Sequence, residues 1–413
     1  MTDKEMQRAI SRRMFVTSSA ALGIAHCAGG LSQFSIGQSQ RNRILAYVGT
    51  YTGAVGAGSN GEGIYVFEMN TESGALSGKR LVAKTPSPSW IAIHPSRKYL
   101  FAVNEVTDYN GNSGSVSAFA IDAATGDLRP INAVSSQGAG PAYLSIDASG
   151  RYAFVANYAG GSIAVLPISS DGALGAAVDV HRSNSSIGSA QATNAPQGSF
   201  AISGHDGPHA HMILPDQQNK FVLATDLGQD RIYSYRFDQR TGKLTSPESA
   251  PFVSLPSGDG PRHFAFHPNG NWLYAIQEEA STVVLYKYDS GSGSLAAQQT
   301  ISTLPTGFAG TSFASEILIS PDGKVLYAVN RLHDTIAIFS IDANGRLERV
   351  GETSIMGDYA AQCRIDPGSN FLYACNRRSD CITSFRIHRA TGMLTFTGHY
   401  TPVGSPGSIT FLH

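Results

Sequence analysis

Residues 313–330 read FASEILISPDGKVLYAVN. Two apolar runs flank the turn residues Pro321, Asp322 and Gly323, and the second run ends at Asn330. Short apolar runs on either side of a Pro/Asp/Gly turn are typical of two antiparallel β-strands. The stretch therefore predicts a pair of buried, neighbouring strands.

The same pattern recurs from residue 44 to the end of the chain. A third apolar run and a Thr-Gly-x-Leu turn follow the pair in several copies, and copies lie about 50 residues apart, which leaves room for four short strands each. The residues that end the second strand of each copy are Gly49, Asn104, Asn157, Asp226, Gln277, Asn330 and Asn376. Radial repetition of four-stranded sheets is a β-propeller. The sequence therefore predicts an all-β, seven-bladed β-propeller.

The two ends of the repeat array complement each other. The first copy begins at its second strand, residues 44–49, whereas Pro406–Leu412 reads as the first strand of a copy that has no continuation. A C-terminal strand that joins the N-terminal blade accounts for both half-copies and leaves no unpaired edge. We therefore expect the ring to be closed in this way.

The composition indicates a nearly neutral globular protein. The 413 residues are 42% hydrophobic and 15% charged, and the formal net charge is −1. A nucleic-acid-binding protein carries a basic excess, and a disordered acidic segment carries an acidic one. We therefore expect no nucleic-acid partner. No long uncharged apolar run follows the N-terminal segment, which predicts no membrane span there.

Residues 1–43 are predicted to be an export leader with a linker. Ser11-Arg12-Arg13-Met14-Phe15 precedes an Ala-rich, mildly apolar run and then small residues, an order that resembles a twin-arginine signal. A frayed helix with a chance arginine pair is the alternative. Export would place the mature domain, residues 44–413, in the periplasm or outside the cell. We expect its three cysteines, Cys363, Cys375 and Cys381, to be mainly buried apolar side chains, with one disulfide left open.

Antiparallel pairing brings two positions of every blade to one rim of the ring, namely the start of the first strand and the end of the second. When the copies are aligned on the turn proline or its equivalent, the residues six positions earlier are Ser89, Ala142, His209, Arg262, Ser315, Ala361 and Gly407. The residues just past the second strand are Thr50, Glu105, Tyr158, Leu227, Glu278, Arg331 and Arg377. Ionisable side chains thus gather at one mouth of the central channel, and such a concave mouth is the default ligand site.

The rim positions yield two groups of candidates. The predicted catalytic residues are His209, Arg262 and Glu278. The predicted substrate-binding residues are Arg331, His263, His211, Glu316 and Arg377. The longest spacing between copies places an insertion, residues 181–206, immediately before Gly207-Pro208-His209-Ala210-His211. We expect this insertion to form a loop at the same rim.

Structural roles are the alternative for each candidate. His209 could cap a strand, and His211 lies two residues further into the strand, where a core role is favoured. Arg262 and Glu278 could form only a salt bridge between strands, and the other arginines could be solvated rim charges. The recurring Asn104, Asn157, Asn330 and Asn376 are expected to bond neighbouring backbone.

Five motifs stand out between residues 44 and 413. They are Tyr47-Val48-Gly49-Thr50-Tyr51-Thr52, Gly207-Pro208-His209-Ala210-His211, Asp226-Leu227-Gly228-Gln229-Asp230-Arg231, Gly260-Pro261-Arg262-His263-Phe264 and Asn330-Arg331. Together they resemble the seven-bladed lactonase family, which includes bacterial 6-phosphogluconolactonases of the propeller type and fungal carboxymuconate-lactonising enzymes, and the resemblance covers residues 44–413. It implies hydrolysis of a small-molecule sugar lactone, either 6-phosphoglucono-1,5-lactone or an unphosphorylated aldonolactone. The active-site positions that it implies are His209, Arg262, Glu278 and Arg331.

One segment departs from the family pattern. The family usually carries a Pro-Arg pair where this chain has Tyr359-Ala360-Ala361-Gln362. The missing arginine removes one cation that could bind an anion, and this weakens the case for a phosphorylated substrate. No CxxC motif or His/Cys cluster indicates a metal site, and no cofactor is expected.

Lactone hydrolysis requires a base that activates water and donors that stabilise the oxyanion. We expect Arg262 to stabilise the developing negative charge and Arg331 to hold a carboxylate or phosphate. Either Glu278 or His209 takes the proton from water. A carboxylate beside an arginine is a weak base, which favours His209 slightly.

Two other functions stay open on the sequence alone. One is reversible lactonisation of a carboxymuconate, in which the cationic groups hold several carboxylates. The other is a secreted binding propeller that has kept the shape and lost the chemistry. The chain has no Gly-x-Ser-x-Gly elbow and no HExxH motif, so the sequence does not support a serine nucleophile or a zinc protease. A monomer is expected.

Overall fold

The strands predicted from the repeats form seven antiparallel sheets in the residues that the structure describes. The structure is a computed structural model, and it describes residues 43–53, 59–183, 187–202, 204–249 and 251–413. The sheets are the blades of a β-propeller, so the predicted fold class is confirmed. The predicted leader and linker, apart from residue 43, lie outside the described residues.

Six blades are built from consecutive strands, and their first strand lines the centre of the ring. Blade 2 consists of β4 (Ile91–Ile93), β5 (Tyr99–Asn104), β6 (Ser115–Ile121) and β7 (Leu128–Ser135). Blade 3 consists of β8 (Pro141–Ile146), β9 (Tyr152–Asn157), β10 (Ser162–Pro167) and β11 (Asp179–Arg182). Blade 4 consists of β12 (Ala210–Pro215), β13 (Phe221–Asp226), β14 (Arg231–Asp238), β15 (Lys243–Thr245) and β16 (Phe252–Ser254), and both of the last two strands pair with β14.

The remaining consecutive blades follow the same order. Blade 5 consists of β17 (Pro261–Phe266), β18 (Trp272–Gln277), β19 (Thr282–Asp289) and β20 (Ser294–Ser302). Blade 6 consists of β21 (Phe313–Ile319), β22 (Val325–Arg331), β23 (Thr335–Ile341) and β24 (Leu347–Ser354). Blade 7 consists of β25 (Ala360–Ile365), β26 (Phe371–Asn376), β27 (Cys381–Ile387) and β28 (Leu394–Pro402).

Blade 1 combines the two ends of the described domain. Its strands are β1 (Ile44–Thr50), β2 (Ile64–Met69), β3 (Leu76–Ala83) and, at the inner edge, β29 (Pro406–Leu412). β29 pairs antiparallel with β1, with Tyr47 opposite Thr410 and Val48 opposite Ile409. The predicted closure of the ring by the C-terminal strand is therefore confirmed.

Burial follows the position of a strand within its blade. Second strands have a neighbour on both sides and a blade against each face, and in β9 and β26 every residue is buried. Outer strands such as β20 contain only half-buried and exposed residues. This explains why the second strand of each copy reads as a continuous apolar run.

Tyrosines in the second strands join neighbouring blades. The hydroxyls of Tyr47, Tyr274, Tyr327 and Tyr373 donate hydrogen bonds of 2.6 to 2.9 Å to the carbonyl oxygens of Gly126, Gly345, Gly392 and Gly74 respectively. These glycines lie in the turn before the fourth strand of the next blade. At Gly392, φ is +71° and a Cβ would lie 2.5 Å from Val325, which accounts for the recurrent glycine.

The recurring asparagines hold the segment that enters their own blade. Their side-chain amides donate to backbone carbonyls of that segment: Asn104 to Pro86, Asn157 to Ser136 and Asn330 to Thr303. Asn376 donates to the Thr383 hydroxyl, which in turn donates to the Ile355 carbonyl. The predicted structural role of the asparagines is confirmed.

The three cysteines of the described domain are free thiols. Cys363 and Cys375 are buried, as expected, whereas Cys381 is half-buried. The only helical segment of the described residues is a short 3₁₀ turn, Arg377–Ser379, and no described helix has the length and apolar character of a membrane span.

Candidate active site

In several blades, a β-bulge near the start of the first strand turns one residue toward the channel. In five blades the pairing skips one residue at the same position: Gly407, Ala142, His211, Arg262 and Ala361. A bulge leaves its extra residue unpaired and re-aims its side chain. All five residues line one cavity at this rim. The bulge is therefore the local feature of the backbone that directs these residues into the cavity.

The structure corrects the predicted register of blade 4. The bulged residue is His211, whereas His209 precedes the first paired residue of β12. The expectation used Pro215 as the turn proline, but Pro215 ends the strand and the turn begins at Asp216. His211 is thus the counterpart of Arg262, and its side chain, although buried, lines the cavity.

All seven blades contribute to this cavity, which has a volume of about 260 Å³. Of the predicted site residues, Arg262, Glu278, Arg331, His263, His211 and Arg377 line it, whereas His209 and Glu316 do not. The other lining residues are Tyr51, Ser89, Trp90, Glu105, Ala142, Tyr158, Tyr359, Ala361 and Gly407. The predicted convergence of rim residues at one mouth is therefore found, although not with every residue that was expected.

Two arginines share one carboxylate oxygen at the wall of the cavity. Arg262 Nε lies 3.0 Å and Arg331 Nη2 lies 2.7 Å from Glu278 Oε2. All three side chains are at least nine-tenths buried. Arg262 also donates to the Ser315 carbonyl at 2.6 Å. The cluster combines two positive charges with one negative charge, so it keeps a net positive charge in a poorly solvated place.

His211 is a buried imidazole beside this cluster. Its Nδ1 has no hydrogen-bond partner in the part of the chain that the structure describes, and its ring packs against those of Tyr158 and His263. Burial and the positive charge of Arg262 hold the pKa of His211 well below its ordinary value. The ring is therefore a neutral proton acceptor at neutral pH.

His209 lies next to the cavity, behind Tyr158. Its Nδ1 is 2.9 Å from the Tyr158 carbonyl, and its Nε2 is 2.7 Å from Oδ1 of Asp206. Because both ring nitrogens face acceptors, the ring is suited to donating two hydrogen bonds rather than to taking a proton from water. In this structure His209 ties Asp206, in the insertion, to blade 3.

A second imidazole lines the site, and a carboxylate lies behind it. His263 Nδ1 lies 3.1 Å from Glu316 Oε1, and both side chains are buried. The His263 ring packs edge-on against Trp90 and Tyr143. Glu316 thus acts on the cavity through His263 and is not a lining residue.

The insertion follows the rim, as predicted. Its backbone bonds to blade 6 through Gln197 and Gly310, and the Phe200 N–H donates to the Thr311 hydroxyl. Further along, His205 lies between Asp230 and Glu279, at 3.4 and 3.3 Å. The insertion is therefore held beside the strand that carries Arg262.

Nine lining residues were not among the sequence-based candidates, and among these Glu105 contacts both Ser89 and Tyr51. Glu105 accepts a 2.5 Å hydrogen bond from the Ser89 hydroxyl, and Arg377 stacks over the Tyr51 ring at 3.6 Å. Glu105 stood in the same aligned column as Glu278, so the alignment contained the signal. Tyr51 lies one residue beyond its column and gave none. No group of three or more His, Cys, Asp or Glu side chains among the described residues could hold a metal ion.

Comparisons with known proteins agree with this architecture. A family described as "Lactonase, 7-bladed beta-propeller" matches residues 45–411. A 6-phosphogluconolactonase of Bacillus subtilis is 31% identical over 372 residues, which are 90% of this chain and 99% of that protein. A second 6-phosphogluconolactonase, from Formosa agariphila, is 31% identical over 76% of this chain and 84% of its own length. The solved structure of the periplasmic gluconolactonase PpgL of Pseudomonas aeruginosa has a TM-score of 0.79 at 31% identity, covering 90% of this chain and 99% of that one.

The depressed pKa of His211 predicts a pH-dependent contribution to stability. Below the ordinary histidine pKa of 6.5 the unfolded chain binds a proton at this position that the folded chain does not, so the free energy of unfolding falls as the pH falls. The slope from this one group is at most about 1.4 kcal/mol per pH unit. His211→Gln should therefore reduce the stability lost between about pH 7.5 and pH 5, as measured by denaturant unfolding. The exposed His388, replaced in the same way, is the control; an unchanged loss in His211→Gln would contradict the prediction.

Proposed function

Because the chain belongs to the seven-bladed β-propeller family of lactonases, we propose that it hydrolyses a sugar lactone to the corresponding aldonic acid. One observation carries the assignment to this cavity. Equivalent bulges of the adjacent blades 4 and 5 direct His211 and Arg262 into the same space. A neutral base and a fixed cation side by side are what water attack on an ester carbonyl requires.

Arg262 is placed to stabilise the oxyanion. Attack on the lactone carbonyl moves negative charge onto its oxygen, and a preorganised guanidinium in a poorly solvated site stabilises that charge strongly. The bond from Arg262 to the Ser315 carbonyl and its contact with Glu278 fix the guanidinium before substrate binds. Little reorganisation is then needed during the reaction.

His211 is the better base among the groups considered. Glu278 is stabilised as an anion by two guanidinium groups, which makes it a poor proton acceptor. His209 has both ring nitrogens engaged. His211 is neutral, lines the cavity and keeps an unpartnered nitrogen. In this proposal Glu278 positions the two arginines, and His209 supports the wall through Tyr158.

The remaining arginines recognise the polar groups of the substrate. Arg331 and Arg377 line the cavity from blades 6 and 7 and can donate to hydroxyl or anionic groups. Ala361, at the bulge of blade 7, adds no charge where the family pattern suggests an arginine. We therefore favour an unphosphorylated aldonolactone, with the 6-phosphate as the alternative substrate.

The proposal also places the enzyme in the periplasm, after export through a twin-arginine leader. The Arg12-Arg13 pair supports this, and PpgL, a structural relative, is described as periplasmic. Replacement of both arginines by lysine should retain the protein in the cytoplasm, because the export machinery reads the arginine pair. Cell fractionation followed by immunoblotting measures the distribution. Equal periplasmic amounts of parent and variant would contradict the proposal.

Removal of the Arg262 guanidinium should abolish most lactone turnover. For Arg262→Ala we expect kcat/KM to fall by about 10²- to 10³-fold, the cost of losing one oxyanion donor. Acid release from glucono-1,5-lactone and from its 6-phosphate measures the rate. The control is Arg364→Ala, because Arg364 is exposed and lies on the first strand of blade 7 away from this cavity. Full activity of Arg262→Ala would contradict the assignment of Arg262 as the oxyanion donor. Ligand binding without turnover in the parent would indicate a non-catalytic propeller.

A pair of histidine variants identifies the base. His211→Gln should lower kcat by about 10²- to 10⁴-fold, because glutamine cannot take the proton from water. His209→Gln should have a smaller effect, since that ring contacts the wall of the cavity and not the cavity itself. Steady-state kinetics with the same lactones separates the two. A large loss in His209→Gln together with a near-normal His211→Gln would restore His209 as the base.

A further inference from the structure

The cavity contains two carboxyl groups at equivalent positions of different blades. Glu105 follows the second strand of blade 2, as Glu278 follows the second strand of blade 5. Both side chains line the cavity. The equivalent backbone positions make their different surroundings directly comparable.

The neighbours of these two groups differ in kind. Glu278 contacts the guanidinium groups of Arg262 and Arg331. Glu105 is bonded by hydroxyls: Ser89 Oγ lies 2.5 Å from Oε2, and the Tyr51 hydroxyl also bonds to the carboxyl group. Neutral hydroxyls stabilise the ionised form of a carboxyl group much less than two neighbouring cations do.

The backbone around Glu105 fixes its position. Its N–H donates to the Ser87 carbonyl at 2.9 Å, and the Ser89 N–H donates to the same carbonyl at 2.7 Å. Tyr51 is in turn covered by the guanidinium of Arg377 at 3.6 Å. The carboxyl group is thus directed into the cavity by a rigid support, as a catalytic group requires.

Lactone hydrolysis has a second proton transfer that the groups assigned so far do not perform. Collapse of the tetrahedral intermediate breaks the bond between the carbonyl carbon and the ring oxygen, and an alkoxide leaves poorly unless an acid protonates it. We propose that Glu105 is the general acid that protonates the departing ring oxygen, an assignment that rests on the proposed lactonase function.

The proton and electron count closes with the residues present. His211 takes a proton from water while the water oxygen bonds to the carbonyl carbon, and Arg262 stabilises the resulting oxyanion. The carbonyl re-forms, the electron pair of the broken bond goes to the ring oxygen, and that oxygen takes the proton of Glu105. The product is the hydroxy acid. The His211 proton passes to solvent and Glu105 regains one, which restores the starting state.

The electrostatics of the site agree with this role. Burial raises the pKa of Glu105, against the hydrogen bonds from Ser89 and Tyr51 and the charges of Arg377 and Arg262. The protonated acid therefore persists to a higher pH than in an ordinary glutamate. The pKa of His211 is lowered and that of Glu105 is raised, so the base stays neutral and the acid stays protonated. Opposite pKa shifts of two groups in one cavity are typical of an acid–base pair.

The test compares Glu105→Gln with the parent enzyme across pH. Glutamine keeps the size and polarity of the side chain but has no acidic proton, so kcat on glucono-1,5-lactone should fall by about 10²- to 10⁴-fold. In the parent, kcat/KM should decline as the pH rises through the Glu105 pKa, and this alkaline decline should be absent in the variant. The exposed Glu248, replaced by glutamine, is the matched control.

Two further variants separate catalysis from a structural or binding role. Ser89→Ala removes a hydrogen bond that stabilises the carboxylate, so the alkaline decline should move to higher pH. Glu105→Asp keeps an acid and should recover part of the activity, also if Glu105→Gln proves unstable. A Glu105→Gln enzyme with raised KM, parental kcat and an unchanged alkaline decline would overturn the assignment while leaving the lactonase function intact. A parent enzyme that hydrolyses no lactone would overturn both.

Discussion

The pairing of β29 with β1 closes the ring, and the rest of the site depends on that closure. Blade 1 receives its inner strand from the end of the chain, and this strand brings Gly407 to the cavity that Tyr51, just after β1, also lines. An open array would leave two half-blades with unpaired edges, which proteins avoid. The hydrogen bond from Tyr373 to the Gly74 carbonyl joins blade 7 to blade 1, as Tyr47, Tyr274 and Tyr327 join their own neighbouring blades. Only a closed ring lets residues from all seven blades meet in one cavity of this size.

Within that ring, the bulges convert a repetitive scaffold into a site with one charged sector. At a bulge one residue is left out of the regular strand pairing, and its side chain points in a different direction from those of its neighbours in the strand. Five blades have this bulge, but only blades 4 and 5 place an imidazole and a guanidinium there. Blades 3 and 7 place alanines, and blade 1 places Gly407. The small side chains leave the space that a substrate needs. The cations lie on a wall where Glu278 and backbone carbonyls fix them, so their field acts at a defined place instead of being screened by water.

The sequence predicted the fold well because the fold is periodic. Seven copies of one strand pattern, with the first strand missing from the first copy and a lone strand at the C-terminal end, allow few architectures. The spacing identified the insertion near 181–206 as well. The site was predicted less completely, for two physical reasons. In blade 4, Pro215 ends a strand instead of standing in the turn, and a shift of two residues replaced His211 by His209. For Glu105, the alignment gave the position at the rim and that of Ser89 in the same repeat. The hydrogen bond from Tyr51 comes from the neighbouring blade, and the pattern of one repeat contains no trace of it.

This difference between position and surroundings explains how one repeated unit supports distinct chemical roles. Glu105 and Glu278 occupy equivalent backbone positions of different blades, and so do His211 and Arg262. What separates each pair is the set of neighbours: two guanidiniums at Glu278, two hydroxyls at Glu105, apolar burial at His211. Because the proton affinity of a side chain follows from its neighbours more than from its own type, equivalent positions diverge without any change of fold. An alignment of the blades with one another therefore finds the groups that can take part, whereas the contacts between blades determine which of them stays charged, which stays neutral and which carries the proton.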